Sequence, residues 1–232
     1  MGKITIMPET VKDPISLIGR CAGVCWGSDV SDPEKNYKRG LECIKSDHGR
    51  TIEFPDIYSV IQGYSARVIR EWYTHIGCLP SRLQSSTRRI NYHDFEYVTP
   101  ESIEKFGCKS LYDGVMHLIG SVCEALEVAG VPREDAALLL PLGMCTGIVD
   151  KRNLRNVMDM SRQRMCSKAY HEYRKMFRDY LDALRDYSDE WSVAVDLLMA
   201  PKCEKLGYCN EKESCGHRPR KEAASCGLAS KQ

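Results

Sequence analysis

Arg70–Arg89, with the sequence REWYTHIGCLPSRLQSSTRR, is the stretch of the chain that says most about its fold. It completes a predicted helix from Ser65 to His75, because apolar residues recur there at helical spacing, namely Val68, Ile69, Trp72 and Tyr73. Gly77 and Pro80 then break the chain. Arginines follow among hydroxyls and an amide, a composition that suits phosphate binding because a guanidinium binds bidentately and hydroxyls add donors. A solvated basic loop is the alternative.

The segments around this stretch predict strands early in the chain and helices later. We expect strands at Lys3–Ile6 and Thr51–Gln62, the second interrupted by Pro55 and therefore an edge strand or a bulge. Helices are predicted at Pro14–Trp26, Asn36–Lys45, Leu111–Ala129, Asn153–Gln163 and Ser167–Tyr187, and a further helix starts at Pro132. This order favours an α+β fold with helices packed on a mixed sheet.

Length and charge narrow the class of protein. The chain of 232 residues predicts one domain, which we place at residues 1–200, followed by a polar, Cys-bearing tail at residues 201–232. A net charge of +1, from 33 basic and 32 acidic residues, gives no global electrostatic basis for binding nucleic acid or an anionic membrane. No apolar run approaches the roughly 20 residues that span a bilayer. The chain start lacks the features of a signal peptide, so we expect a cytoplasmic protein.

Asn153–Glu172, with the sequence NLRNVMDMSRQRMCSKAYHE, is the second segment rich in charge. On a helix Arg155 and Asp159 share a face, and Arg164 and Lys168 have the same spacing. A helix near the apolar stretch Leu138–Leu142 rarely carries so many charges without partners. The charges therefore form surface ion pairs or line an anionic ligand site, and periodicity does not decide between them.

The cysteines allow a metal hypothesis. Twelve cysteines without a leader peptide favour reduced thiols over a secreted disulfide scaffold. Zinc or an iron–sulfur cluster on the tail is one interpretation, with the candidate ligands Cys203, Cys209, Cys215, His217 and Cys226. The usual two-residue knuckle spacing is absent, so free or paired thiols are the alternative. Cys78, inside the loop after His75, is interpreted as a packing residue.

Taken together, the two charged segments resemble the flavin-dependent thymidylate synthases. That family carries Arg-His-Arg followed by Ser-x-Arg, and this chain has Thr74-His75-Ile76 and then Ser86-Thr87-Arg88. A Leu-Pro-Leu stretch, an Asn/Arg-containing helix and a later arginine complete the pattern at Leu140-Pro141-Leu142, Asn153-Leu154-Arg155 and Arg164. The resemblance covers residues 15 to 180.

The resemblance implies an enzyme of nucleotide biosynthesis. A member of this family is a flavoprotein methyltransferase that converts dUMP to dTMP, with FAD as cofactor. Methylenetetrahydrofolate supplies the carbon, and a reduced nicotinamide, NADPH, reduces the flavin. The family forms homotetramers, with flavin sites built between subunits.

Roles for individual residues follow from the same resemblance. Arg164 and Ser86 take the catalytic positions. The substrate-binding positions are Glu71, Gln84, Ser86, Arg88 and Arg164. The cofactor-binding positions are His48, His75, Asn153, Asp159 and Lys168.

This chain departs from the family pattern at the signature. Thr74 and Ile76 replace the two arginines beside the histidine, and the loop that follows is two residues longer. Four other positions also differ from the family pattern. This chain has Glu71 where the family has a glutamine, Ala137 for an arginine, Asp159 for an asparagine and Lys168 for a histidine. Each arginine lost from a phosphate site removes a bond of about 1.5–3 kcal/mol. Arg82, Arg89 and Lys168 are candidates to compensate.

Two alternatives therefore accompany the thymidylate synthase hypothesis. One is a flavin enzyme with a different nucleotide or a different one-carbon product. The other is a non-catalytic paralogue that binds a nucleotide.

Overall fold

The computed structural model describes residues 2–221, and its contacts divide them into two units. Unit 1 comprises Met1–Thr5, Ser59–His75 and Ser81–Asp150, and unit 2 comprises Ile6–Tyr58, Ile76–Pro80 and Lys151–Gln232. Cys226 of the metal hypothesis lies outside the described residues.

The secondary structure is a four-stranded antiparallel sheet with ten helices in the described part of the chain. The strands are β1 (Lys3–Ile6), β2 (Asp56–Ser65), β3 (Ser81–Gln84) and β4 (Cys145–Asn153), in the order β1-β2-β4-β3. The helices are α1 (Pro14–Cys25), α2 (Pro33–Lys45), α3 (Ala66–Tyr73), α4 (Glu101–Lys105), α5 (Lys109–Val128), α6 (Arg133–Ala136), α7 (Leu154–Arg164), α8 (His171–Tyr187), α9 (Asp189–Leu198) and α10 (Lys202–Leu206). Short 3₁₀ turns occupy Thr51–Glu53 and Ala137–Leu139. This confirms the α+β class.

Unit 1 is organised by aromatic and methionine side chains. Its buried cluster consists of Tyr92, Phe95, Met116 and Met144. The fully buried Trp72 of α3 donates its indole N–H to Asp150 at 3.0 Å, which ties α3 to β4. Burial of this ring is favourable because the indole N–H keeps a hydrogen-bond partner inside the protein.

Unit 2 contains two close helix pairs. In the first, a Cβ on Gly19 of α1 would lie 1.8 Å from the Asn36 carbonyl oxygen of α2. Likewise, a Cβ on Gly40 would lie 1.9 Å from the Ile15 carbonyl oxygen, so both glycines are needed for the close approach. In the second pair, α8 and α9 bury Tyr173, Phe177, Tyr180 and Trp191 completely.

The region around Pro55 differs from the sequence prediction. Thr51–Glu53 is a 3₁₀ turn, and the strand runs from Asp56 to Ser65. The strand lies between β1 and β4, so the prediction of an edge strand was wrong. Pro55 precedes the strand and so costs it no ladder hydrogen bond, and its carbonyl accepts the Leu154 N–H at 2.9 Å.

Other differences concern short elements. The sequence did not predict α4, α9, α10, β3 or β4. Within residues 2–221 no helix is both long and apolar enough to cross a membrane.

Candidate functional site

The signature begins at the end of α3, in unit 1. Ser65 caps this helix by accepting the Val68 N–H at 3.4 Å, and Glu71 and His75 lie at its other end. Arg82 of β3 packs its guanidinium 4.5 Å from the centre of the Tyr73 ring and donates to the Tyr73 carbonyl oxygen at 2.7 Å. Arg82 therefore holds β3 to the end of α3. This use of its guanidinium competes with the compensating role that the sequence suggested for it.

Ser86 and Arg88 are brought together by a tight turn after β3. Gln84 is the last residue of that strand, and the Ser85 N–H and hydroxyl both donate to the Gly147 carbonyl oxygen, at 2.9 and 3.1 Å. The Ser86 hydroxyl accepts the Arg88 N–H at 3.2 Å. This hydroxyl keeps its own proton, which it can donate to an anion.

Arg88 has an acidic partner. Its Nε donates to the Glu134 carboxylate at 2.7 Å, with side-chain exposures of 74% and 51%. Such an exposed pair contributes at most about 1 kcal/mol to stability. The Glu134 carboxylate nevertheless engages the Arg88 guanidinium, which the resemblance predicts to bind the nucleotide.

The inserted loop Ile76–Pro80 belongs to unit 2 and has unusual backbone angles. Cys78 and Leu79 have φ values of 57° and 51°, in the left-handed region that non-glycine residues seldom occupy. Leu79 is 90% exposed and Cys78 is also exposed. The interpretation of Cys78 as a packing residue was therefore wrong.

Helix α7 carries the second charged segment, in unit 2. The Asn153 side chain caps the helix by accepting the Asn156 N–H at 3.0 Å. The Asp159 carboxylate pairs with both Arg155 and Arg162, at 3.3 and 3.0 Å. A helix residue with two arginine partners is an ion-pair network, the first of the two interpretations that the sequence left open.

The turn that contains His48 packs against this network. A Cβ on Gly49 would lie 1.9 Å from Nη1 of Arg155, so the backbone of the turn sits directly on that guanidinium. The His48 ring meets the Trp26 ring edge to face, with centroids 6.4 Å apart. The structure therefore brings the His48 turn to the arginines of α7.

Arg164 and Lys168 line a cavity of about 400 Å³ in the same unit. The Arg164 guanidinium carbon lies 4.3 Å from the centre of the Tyr173 ring, which is a cation–π contact. Lys168 pairs with Glu213 at 3.0 Å, and that carboxylate raises the pKa of Lys168. The tail contributes further lining residues, namely Lys202, Cys203, Cys209, Cys215 and Arg218.

The thiols of this cavity differ in acidity. The pKa of Cys215 is lowered, first by a hydrogen bond with the Ser167 side chain and then by the His217 backbone N–H. Burial raises the pKa of Cys203. Cys215 is therefore the more reactive thiol of the two.

The metal hypothesis for the tail has no support from the described residues. Among residues 2–221, no group of three or more His, Cys, Asp and Glu side chains is placed to hold a metal ion. His217 is bonded to the Glu204 carboxylate, which Arg218 also contacts.

Comparison with known protein families covers most of the chain. The family model described as Thy1, thymidylate synthase complementing protein, matches residues 6–188. The chain belongs to this family. The match confirms the resemblance drawn from the sequence and, with it, the expectation of an enzyme of the flavin-dependent thymidylate synthase type.

Curated relatives of this Thy1 chain carry one name. It is 26% identical over 234 residues to the flavin-dependent thymidylate synthase of Nitratidesulfovibrio vulgaris, covering 91% of this chain and 93% of the relative. It is 29% identical over 186 residues to that of Thermococcus onnurineus, covering 75% and 74%. It is 27% identical over 230 residues to that of Pyrococcus furiosus, covering 92% and 91%.

The sequence did not predict several contacts of the candidate residues. Glu134 beside Arg88, Tyr173 beneath Arg164 and Gly49 against Arg155 are all distant in sequence from their partners or on another element. No local pattern signals such contacts. The four-residue spacing of Arg155 and Asp159 did place these two side chains on one face of a helix, and they do pair.

Proposed function

We propose that this Thy1 protein converts dUMP to dTMP, with FAD as cofactor, methylenetetrahydrofolate as carbon donor and NADPH as reductant. Three relatives named flavin-dependent thymidylate synthase align over three quarters or more of the chain. The observation that carries the proposal is Arg164, stacked on Tyr173 at 4.3 Å in a cavity that Lys168 also lines.

The residues of α7 fit an anionic cofactor such as FAD. Arg155 and Arg162 share the single carboxylate of Asp159, so two positive charges face one negative charge. Their side chains are 30% and 31% exposed, which leaves them accessible to a pyrophosphate. We assign the cofactor to this network, which includes Asp159. His48, Asn153 and Lys168 of the same unit, and His75 of the other unit, stay the cofactor positions that the family resemblance implies. These arginines supply charge that Thr74 and Ile76 do not.

The nucleotide is assigned to the turn after β3. Ser86 donates its hydroxyl proton to the phosphate, and Arg88 adds a charge-assisted bond once it leaves Glu134. Gln84 and Glu71 complete the substrate positions. Glu71 carries a negative charge where a neutral amide is expected, so it offers acceptors to the nucleotide and repels its phosphate.

Arg164 is assigned the catalytic role. A guanidinium against the pyrimidine carbonyl and ring nitrogen withdraws electron density from C6 and so prepares that carbon to accept a hydride. Bound flavin supplies the hydride chemistry. The cation–π contact of Arg164 with Tyr173 restrains the guanidinium before substrate arrives, so little reorganisation is needed.

We propose that the protein is a cytoplasmic homotetramer. Helix α5 supports the assembly, because it exposes a stripe of apolar side chains at helical spacing, namely Leu111, Val115, Leu118 and Val122. Leu111 is 73% and Leu118 is 62% exposed, which is unfavourable for a helix that meets only water. The division into a domain at residues 1–200 and a tail at 201–232 stays a prediction.

The experiment begins with the cofactor. Purified protein is denatured and the released flavin is identified by chromatography, and apoprotein is titrated with FAD. The proposal predicts stoichiometric FAD. Protein that takes up no FAD contradicts it and favours the non-catalytic nucleotide-binding paralogue.

The second step tests the substrate. Protein reduced by NADPH is mixed with methylenetetrahydrofolate, with and without dUMP, and flavin reoxidation is followed anaerobically by absorbance. The proposal predicts reoxidation that depends on dUMP. Reoxidation that depends on another nucleotide, but not on dUMP, favours the altered-substrate alternative.

A further inference from the structure

Asn156 of α7 uses both ends of its amide, the nitrogen on the inserted loop and the oxygen on Arg152 of β4. The side chain is 3% exposed, and its Nδ2 donates to the Gly77 carbonyl oxygen at 2.7 Å. Its Oδ1 accepts from Nη1 of Arg152 at 2.6 Å. A buried polar side chain is retained at little cost only when its hydrogen bonds are made, and here both ends are satisfied.

Arg152 fixes which way this amide faces. It is 1% exposed, and a buried guanidinium has only donors to offer. The amide therefore turns its oxygen to Arg152 and its nitrogen to Gly77. This charge-assisted bond is stronger than a neutral one, so the direction of the Asn156 donor is set by the arginine.

The loop that receives this bond needs an anchor. Cys78 and Leu79 occupy the left-handed region in succession, at φ values of 57° and 51°, and such strain persists only where the surroundings hold it. Pro80 ends the loop, and the Leu79 N–H donates to the Ile76 carbonyl oxygen at 3.1 Å. A side-chain hydrogen bond, from Asn156 to the Gly77 carbonyl oxygen, ties the loop to α7.

We propose that Asn156, oriented by Arg152, is a positioning residue that holds the inserted loop of the signature on the helix that carries Asp159 and Arg164. The inference rests on the proposed function, because it assigns the anchored loop a part in binding FAD and dUMP. The loop directly follows His75, where this chain has two residues more than the family pattern and lacks the motif arginines. Asn156 fixes the chain there through its hydrogen bond to Gly77.

A matched control exists in the same unit. Asn36 of α2 is 5% exposed, donates Nδ2 to the Val30 carbonyl oxygen at 2.8 Å and accepts from Nη1 of Arg39 at 2.8 Å. It repeats the chemistry of Asn156 at a segment with no proposed role in ligand binding. The Asn156→Asp and Asn36→Asp variants therefore lose the same bond in different places.

A second variant approaches the loop from the other side. A Cβ on Gly77 would lie 3.3 Å from Nδ2 of Asn156, so Gly77→Ala crowds the bond without touching the buried Arg152. Gly114→Ala on α5 is its control, because a Cβ there meets nothing within 4 Å. The Gly77 variant keeps the proposal testable if Asn156→Asp does not fold.

The first measurement needs no ligand. Hydrogen exchange of residues 76–80 is followed by mass spectrometry in the full-length variants. We expect about tenfold faster exchange of the Leu79 amide in Asn156→Asp and Gly77→Ala, because the partly buried hydrogen bond to Gly77 is lost, and no change in the controls. Exchange as slow as in wild type overturns the anchoring.

The second measurement is the dissociation constant of FAD and the KM of dUMP. We expect at least one to rise about fivefold in Asn156→Asp and Gly77→Ala, with melting temperatures matching those of the controls. Faster hydrogen exchange with an unchanged dissociation constant of FAD and an unchanged KM of dUMP overturns the positioning role. Wild-type protein that binds neither ligand refutes the proposed function and the ligand half of this inference, while the exchange rates still decide the anchoring.

Discussion

Arg164 is the residue to which the proposed chemistry assigns most. Its guanidinium stacks on Tyr173 at 4.3 Å, and a contact of this kind contributes about 0.5–2 kcal/mol. The side chain is thus held in place by an aromatic ring of α8, which no local sequence pattern indicates. The sequence identified Arg164 through the resemblance alone. The contact of Arg164 with Tyr173 is visible only in the folded structure.

Replacement of Arg164 tests that assignment. Arg164→Ala is expected to lower kcat/KM for dUMP about 100- to 1,000-fold, because a preorganised donor to the developing charge is lost. Unfolding by heat should change little. The exposed Arg178→Ala on α8 is the control and should keep wild-type turnover. Unchanged turnover in the Arg164 variant would show that the role lies elsewhere.

Replacement of Glu134, unlike that of Arg164, is expected to improve the use of dUMP. Its pair with Arg88 at 2.7 Å is exposed, so removing the charge costs little stability. Glu134→Gln should lower the KM of dUMP by about two- to fivefold, because Arg88 no longer leaves a carboxylate to meet the phosphate. Glu34→Gln, which removes the partner of Lys38 in an equally exposed pair, is the control. A raised KM in the Glu134 variant contradicts the assignment of Arg88.

The tail thiols give a prediction on pH. The pKa of Cys215 is lowered by the Ser167 side chain, and that of Cys203 is raised by burial. A lowered pKa means more thiolate at any given pH, so alkylation of Cys215 should reach its half-maximal rate at a lower pH than alkylation of Cys203. Peptide mapping after short iodoacetamide pulses measures both rates. The reverse order would contradict the arrangement of the tail.

At the scale of elements, the sequence predicted secondary structure best where an apolar repeat extends over many residues. The twenty-residue α5 was expected at Leu111–Ala129 and lies at Lys109–Val128, because its apolar repeat spans many turns. Strand β3 has four residues and was missed, since its pairing with β4 depends on residues far along the chain. Pro55 misled the prediction of β2 because a proline immediately before a strand resembles one within it.

The exposed stripe of α5 belongs to this scale and tests the assembly. Leu118→Arg should shift the protein to a smaller species, because a charge at a side chain that is 62% exposed in one subunit would be buried between subunits. Val128→Arg, at the end of the same helix and 83% exposed, is the control. Mass photometry reads the mass of both variants. A wild-type mass in the Leu118 variant contradicts an interface on this face.

At the scale of the whole molecule, the candidate residues are divided between two units. Glu71, His75, Gln84, Ser86 and Arg88 belong to unit 1, whereas His48, Asn153, Asp159, Arg164 and Lys168 belong to unit 2. The sequence predicted the family because motif order survives divergence, and the roles of these positions stay predictions. It did not predict that Asp159 is shared by two arginines or that Arg82 binds Tyr73, since both depend on the folded geometry.

The central claim is that this Thy1 protein makes dTMP although Thr74 and Ile76 stand where its family has arginines. The most direct test is a single turnover. Protein with bound FAD is reduced by NADPH under anaerobic conditions and mixed with dUMP and methylenetetrahydrofolate, and the nucleotides are separated by chromatography. We expect about one dTMP per reduced flavin. Unconverted dUMP in protein that binds both FAD and dUMP would contradict it.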